Sequence, residues 1–249
     1  MEITSVNNTV VKETAKLLQK KYRDETNLFL LEGFKAVEEA FRFGIDIKKI
    51  FVLKEKANKY RFLNKELILT TEAVLKKISA ADSAPDAVAV AEQKHFSIND
   101  IKNFKKIVLL ENIKDLGNLG TILRTSAAFN FDAVILFGDC ADLYNPKCVR
   151  SSVGNLWKVP VVNLKNINEM RVFSDYQKIA TLPKAKNLLK NFIAKDRCII
   201  MFGSEADGLS QTLIDFATDS VKIEMSQNVE SLNLSISCAI VLYEIFTCK

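Results

Sequence analysis

The sequence predicts an α/β protein of two domains, and three observations carry that expectation. Apolar runs of strand length alternate with amphipathic helical stretches along nearly the whole chain. A polar, aperiodic segment from Glu92 to Lys105 divides the alternation into two blocks. Six of the eight glycines lie from Gly117 onward, each in a turn-like position between apolar runs. The 249 residues can bury a sizeable core in either block, and 48% hydrophobic with 26% charged residues exclude a disordered chain.

The first block opens on residues 7–23. There Val10, Thr14, Leu17, Leu18 and Lys21 fall at helical spacing behind Asn7 or Asn8 as a cap. The polar face carries Lys12, Lys16, Lys20, Lys21 and Arg23 against one acid, Glu13. Such a face is either solvated or a contact for a phosphate backbone, and the residues alone leave both readings open. Residues 28–31 read as a buried strand ended by Glu32-Gly33, and Phe34, Val37, Ala40 and Phe41 as an amphipathic helix that stops at Gly44. Strands at 50–53, 66–70 and 87–91, with a short helix at 72–78, complete a small α/β/α domain over residues 1–95; residues 96–105 are the linker.

The second block, residues 106–249, places strands at 107–110, 133–137, 178–181, 198–202 and 221–224 with helices between them. That spacing predicts a mostly parallel sheet covered on both faces. The last helix, residues 232–246, is apolar nearly all the way round. A surface helix needs one apolar stripe, so the second face calls for a cover. A symmetric dimer contact is the simplest; burial of both faces inside the monomer is the other reading.

Composition narrows the chemistry. The single histidine, His95, falls at the domain boundary, which nearly excludes a histidine base or a His-ligated metal. Cys140, Cys148, Cys198, Cys238 and Cys248 have no C-x-x-C spacing and read as reduced thiols, with neither disulfides nor a metal. No apolar run approaches the roughly 20 residues of a membrane helix, and the first residues lack a signal pattern. A cytoplasmic protein without a membrane partner is expected. A net charge of +5 permits an anionic partner without demanding one.

Three turns in the second block stand out. The first is Asn118-x-Gly120-x-x-x-Arg124, after the strand at 107–110. The second spans 199–210, a buried strand running into Gly203-Ser204-Glu205. The third spans 223–235, a strand that ends in a polar loop and opens into the last helix. Singly, Gly120 could serve helix packing, Gly203 an ordinary turn and Ser231 an N-cap. In series along the carboxyl edge of one sheet, they point to a ligand site.

These three motifs, in this order and at this spacing, resemble those of the SpoU/TrmH family of S-adenosylmethionine-dependent RNA 2′-O-ribose methyltransferases, within the SPOUT superfamily. The connecting stretches 125–136 and 145–160 agree. The first domain, with Ile3-Thr4-Ser5, the basic helix and Phe29-Leu30-Leu31-Glu32-Gly33, is similar to the family's ribosomal-protein-like substrate-binding domain. The resemblance implies a trefoil-knotted C-terminal part, an exception to the rule against threaded chains. It implies S-adenosyl-L-methionine among the loops of the second and third motifs, lined by Gly203, Ile223 and Leu232 with Met225 close by. Arg124 then matches the catalytic arginine. Asn118, Glu205, Ser231 and Asn233 match the polar groups that orient it and the ribose, Glu205 being the expected ion-pair or hydrogen-bond partner. Lys12, Lys16, Lys20, Lys21 and Arg23 would meet RNA phosphates, and Glu32 and Gly33 would lie against the RNA. Ribosomal RNA is preferred over tRNA as substrate, because subfamilies that act on tRNA often lack the N-terminal domain. A homodimer is expected through the C-terminal helix region.

The sequence also departs from the pattern. Asn130 stands where glycine is usual and is expected to take a left-handed cap conformation. Ala206-Asp207 is a variable spot, and residues 83–90 keep only the outline of their counterpart. Glu224 replaces a common proline, either beside the cofactor or facing solvent. The alternative function is a non-catalytic RNA-binding or ribosome-assembly protein of the same fold. The presence of Arg124, Asn118, Glu205 and Asn233 favours the enzyme.

Overall fold

The computed structural model describes residues 1–226, 228 and 231–248. They form two compact units: residues 1–94 with 142–157, and residues 95–141 with 158–248.

The first unit contains β1 (Glu2–Ile3), α1 (Thr9–Lys16), α2 (Lys20–Thr26), β2 (Leu28–Glu32), α3 (Phe34–Arg42), β3 (Ile47–Leu53), β4 (Ile68–Thr70), α4 (Glu72–Lys77) and β5 (Ala87–Glu92). Its sheet runs β1-β4-β3-β5-β2. The first three strands are parallel, and β5 is antiparallel to both its neighbours. Leu30, Phe51, Val74, Leu75 and Val88 fill the core beneath α1 and α4, with Val11 inserted from α1. The two-residue β1 is too short for periodicity to reveal.

The single helix expected over residues 7–23 is two. Asn8 caps α1, its Oδ1 accepting from Val10 N at 2.8 Å. The chain then tightens into i→i−3 bonds at Leu17, Leu18 and Gln19. The carbonyl of Leu17, which a continuous helix would offer to residue 21, instead accepts from Arg23 Nη1 at 2.7 Å.

Residues 142–157 join this unit, although the alternation of elements had assigned them to the second domain. Their helix, α7 (Pro146–Ser152), is capped by Asn145. Tyr144 and Trp157 place their rings 4.8 and 5.4 Å from Phe29, in the middle of β2. Asp142 accepts from Arg23 Nε at 3.0 Å. At the end of α7, Val153 sits at φ 50°, ψ 47°, a left-handed conformation that a β-branched residue adopts only under strain. Its side chain is 43% exposed, so little packing is at stake. Val153→Asn is therefore expected to stabilise the chain by about 1 kcal/mol. A urea midpoint equal to or below the parent's would refute this.

The second unit contains α5 (Ile98–Ile101), β6 (Lys106–Glu111), α6 (Leu116–Ala128), β7 (Ala133–Phe137), β8 (Val161–Leu164), β9 (Gln177–Thr181), β10 (Asn187–Leu188), β11 (Cys198–Phe202), α8 (Gln211–Phe216), β12 (Asp219–Lys222) and α9 (Leu234–Thr247). Its sheet, β10-β12-β9-β11-β6-β7-β8, is parallel throughout. The short strands β8 and β10 were not expected. The presumed linker is built into this unit: a Ser97/Asp100 capping box starts α5, Ile101 is fully buried, and Phe96 bridges to Val162.

Strands β6 to β8 run outward on one side of β6, and β9 to β12 lie on the other, with β11 beside β6. The chain reverses its direction of travel between β6 and β11, which is where an open α/β sheet leaves a crevice at its carboxyl edge. Helix α6 ends as expected: Asn130 takes φ 52°, and Phe131 N donates to Ser126 O at 2.9 Å. Helix α9 buries Leu234, Cys238, Val241, Leu242 and Ile245. Ile236, Ile240, Tyr243 and Phe246 form an exposed stripe, so its second face is not buried within the unit.

All five cysteines are free thiols. Burial pushes Cys148 up to about 12 and Cys198 up to about 11, and raises Cys238, so these three stay protonated and unreactive. No described helix is long and apolar enough to cross a membrane.

Candidate active site

Three strand ends on one edge of the parallel sheet build the site. After β6, Asp115 caps α6, its Oδ1 accepting from Asn118 N at 2.7 Å, and this fixes the first turn of the helix. After β11, residues 203–210 fold back on themselves. Gly208 N donates to Ser204 O at 3.0 Å, Asp207 N to Ser204 Oγ at 3.1 Å, and Gly208 takes φ 68°. After β12, the chain runs through a polar loop to Asn233, which caps α9. Three residues of that loop, Gln227, Val229 and Glu230, lie outside the described residues.

The three turns meet at one amide. Asn118 Nδ2 donates to Glu205 Oε1, and Asn118 Oδ1 accepts from Asn233 Nδ2 at 3.1 Å. Asn233 also caps α9, its Oδ1 accepting from Ser235 N at 2.9 Å and Ile236 N at 3.3 Å. Capping and site formation thus share one side chain: of Ser231 and Asn233, for both of which the sequence left capping open, Asn233 holds the cap. With both ends of its amide engaged, Asn118 holds Glu205 in place across the sheet edge.

A cavity of about 480 Å³ lies between the loops that follow β9, β11 and β12. That volume is in the range of small-molecule sites, about 300–1,000 Å³. Gly203, Ile223, Met225 and Leu232, the four residues expected at the cofactor, all line it, together with Glu205 and Ser231. Its walls are largely apolar. Around the rim, the main-chain groups of Met225 and Leu232 make no hydrogen bond to a described residue. Apolar walls for a flat ring and unspent main-chain donors and acceptors at its edge suit a nucleoside. Leu182 and Pro183, just beyond β9, also line the cavity and were not anticipated. Their position at the carboxyl end of a strand on the same edge was the available signal.

Arg124 lies on α6 six residues beyond Asn118, exposed, without a hydrogen-bond or ion-pair partner among the described residues. No ion pair joins Arg124 to Glu205, whose Oε1 accepts from Asn118 Nδ2. Six residues turn a helix by about 240°, so Arg124 and Asn118 leave α6 on different faces. Glu224 is exposed and paired with Lys190, which answers its two readings in favour of solvent.

Of the residues expected at the RNA, the structure withdraws two. Arg23 is 1% exposed, its guanidinium held by Asp142 and the Leu17 carbonyl, so it cannot reach a phosphate. The Glu32 side chain is likewise buried, its Oε1 accepting from Ala80 N at 2.7 Å and its Oε2 paired with Arg150 at 2.6 Å. Lys12 is exposed and unpaired among the described residues, while Lys20 and Lys21, exposed, and Lys16, half-buried, are paired with Asp24, Glu25 and Glu13. Gly33 takes φ 81° at the start of α3.

Residues 105–243 match the SpoU rRNA Methylase family, and residues 8–89 match the MRM3-like substrate binding domain. An uncharacterized tRNA/rRNA methyltransferase of Synechocystis sp. is 32% identical to this chain over 97% of its residues and 92% of the relative's. The 23S rRNA (guanosine(2553)-2′-O)-methyltransferase of Bacillus subtilis is 27% identical over 98% of both chains. The crystal structure of an AdoMet-bound rRNA methyltransferase from Sinorhizobium meliloti shares the fold at a TM-score of 0.89 and 29% identity, covering 98% of this chain and 97% of that one. On this sequence and structural agreement, the chain belongs to the SpoU rRNA methylase family.

Proposed function

We propose that this chain transfers a methyl group from S-adenosyl-L-methionine to a ribose 2′-hydroxyl of ribosomal RNA. The observation that carries this is the cavity lined by Gly203, Ile223, Met225 and Leu232, whose Glu205 is tied through Asn118 to the helix bearing Arg124. The AdoMet-bound relative and the 23S rRNA 2′-O-methyltransferase among the sequence relatives support the choice of cofactor and substrate. The knotted path belongs to the same reading, supported by the loops after β11 and β12 sharing the walls of one cavity. The site of action is the cytoplasm.

When bound, the cofactor supplies a methyl on a sulfonium centre, already activated for attack. What remains for the protein is to hold the ribose hydroxyl in line and to stabilise the charge that grows on its oxygen. Arg124 keeps its proton at any working pH, so it acts as a fixed cation beside the developing alkoxide, and the hydroxyl proton leaves to water or a phosphate. Asn118, Glu205, Ser231 and Asn233 position the ribose at the cavity mouth, with Glu205 held by Asn118 rather than by the arginine.

The enzyme works as a homodimer through α9, whose Ile236, Ile240 and Tyr243 leave an exposed apolar stripe, Tyr243 resting edge-on against Phe129. Light scattering should give twice the chain mass for the parent and the single mass for Ile240→Glu, with melting unchanged. A monomeric parent would overturn the dimer.

Function is tested by mapping 2′-O-methyl sites on ribosomal RNA from strains with and without the gene, together with calorimetry of S-adenosylmethionine. Loss of one methylated site in the deletion strain, with micromolar-range cofactor binding, is expected. Absence of cofactor binding would sink the enzyme; binding with an unchanged methylation pattern would leave an RNA-binding or assembly protein.

A further inference from the structure

Within the first unit, charge is distributed unevenly between two basic surfaces. On α1 and α2, Lys16 pairs with Glu13 at 2.8 Å, Lys20 with Asp24 at 2.6 Å and Lys21 with Glu25 at 3.8 Å, so much of the positive field is cancelled locally. The 3₁₀ segment Lys54–Leu63 is different. It carries Lys54, Lys56, Lys59 and Arg61 against one acid, Glu55, and none of the four cations has an acid partner among the described residues.

The same segment contributes a ring to an aromatic edge. Phe62, in the same segment, is 37% exposed, and Phe41 of α3 is 41% exposed. Their rings lie 5.3 Å apart at 72°, and Phe34 flanks Phe62 at 5.9 Å and 78°. Beneath them Tyr60 is fully buried, packed edge-on against Phe34 at 5.6 Å and donating its hydroxyl to Asp86 at 2.8 Å. The rings are thus held from below and from the side, and part of each faces solvent.

Exposed rings of fixed orientation, one of them a 3₁₀ turn on from Lys59 and next to Arg61 in the chain, match the chemistry of unstacked nucleobases: aromatic faces accept the bases and cations take the phosphates. A duplex hides its base faces and would use the cations alone. A protein partner fits less well, since lysine is depleted from protein interfaces. We propose that Phe41 and Phe62, with Lys59 and Arg61, form a stacking surface for unpaired RNA, a loop or single strand of the substrate. This rests on the RNA methyltransferase reading and moves the main RNA contact of the first unit from α1 and α2 to the Lys54–Leu63 segment.

The test uses the full chain, with fluorescence anisotropy of a short oligouridylate and of an RNA duplex of equal length. Cofactor calorimetry and thermal melting serve as folding controls. Phe41→Leu with Phe62→Leu keeps apolar bulk but removes both ring faces. It is expected to weaken single-strand binding about tenfold or more and to change duplex binding by less than about twofold. Lys59→Gln with Arg61→Gln is expected to weaken both and to lower the slope of log K against log salt by about 1.5. Parent-like single-strand binding in both variants, or equal losses on strand and duplex in the leucine variant, would overturn the stacking surface and leave the aromatic edge to a protein contact. A parent that binds cofactor but neither RNA would bring down the RNA reading itself, and the surface with it.

Discussion

Arg124→Lys is expected to slow single-turnover methyl transfer by about 10²–10³-fold, the usual loss when one preorganised group at a developing oxyanion is removed. Stability should hardly move. Arg124 is exposed, has no partner among the described residues, and sits inside α6, where lysine and arginine have similar helix propensity. A loss of rate can therefore be read as chemistry. The substitution replaces a planar fork by a point charge on a flexible stem, which places charge near the oxygen less reliably.

The pH profile of the same variant separates two roles for Arg124. As a general base, lysine would recover activity as pH rises through its ordinary value of about 10.4, because the neutral amine is the competent form. As a fixed cation, the variant would lose its residual activity over the same range. The second outcome is expected. Rapid-quench measurements with radiolabelled cofactor across that range decide it, and recovery at high pH would refute the electrostatic role.

The sequence made the site legible where chemistry is local and the fold less so where the chain returns on itself. Gly203, Ile223, Met225 and Leu232 were named through the family resemblance, and they line one cavity because the loops after β11 and β12 lie on the same edge of a parallel sheet. The left-handed Asn130 was legible because one residue closes one helix. Periodicity could not show that residues 142–157 leave the second half of the chain to pack beside β2, since α7 looks like any short helix between strands. Nor could it separate Lys12 from Arg23 on a basic face. The difference lies in Asp142, 119 residues away, which draws Arg23 inward. Glu32 was misread the same way, its partner Arg150 lying 118 residues on. The polar cluster was foreseen in its members but not in its wiring. The resemblance brought Arg124 and Glu205 together, whereas the structure ties Glu205 to the amide of Asn118.

Gly203→Ala is expected to abolish measurable cofactor binding and to destabilise the chain by about 3 kcal/mol. A Cβ on Gly203 would lie 1.9 Å from Gly208 C, 2.1 Å from Gly208 O and 2.2 Å from Leu209 N, all main-chain atoms that cannot swing aside. Relief requires opening the 203–210 turn, which breaks the Ser204–Gly208 bridge and carries Glu205 away from Asn118. Gly208→Ala is the graded control: its Cβ meets nothing within 4 Å, and only the φ of 68° resists, a cost of about 1 kcal/mol. A glycine in a cavity wall can also be a backbone kept bare so that a ligand approaches closely. On that account, alanine would weaken cofactor binding and leave the cofactor-free protein as stable as the parent. The packing instead makes the glycine a requirement of the chain's own turn, with the cavity wall as its consequence. Calorimetry with urea unfolding of the cofactor-free chain separates the two, and parent-like unfolding of Gly203→Ala would restore the ligand-approach account.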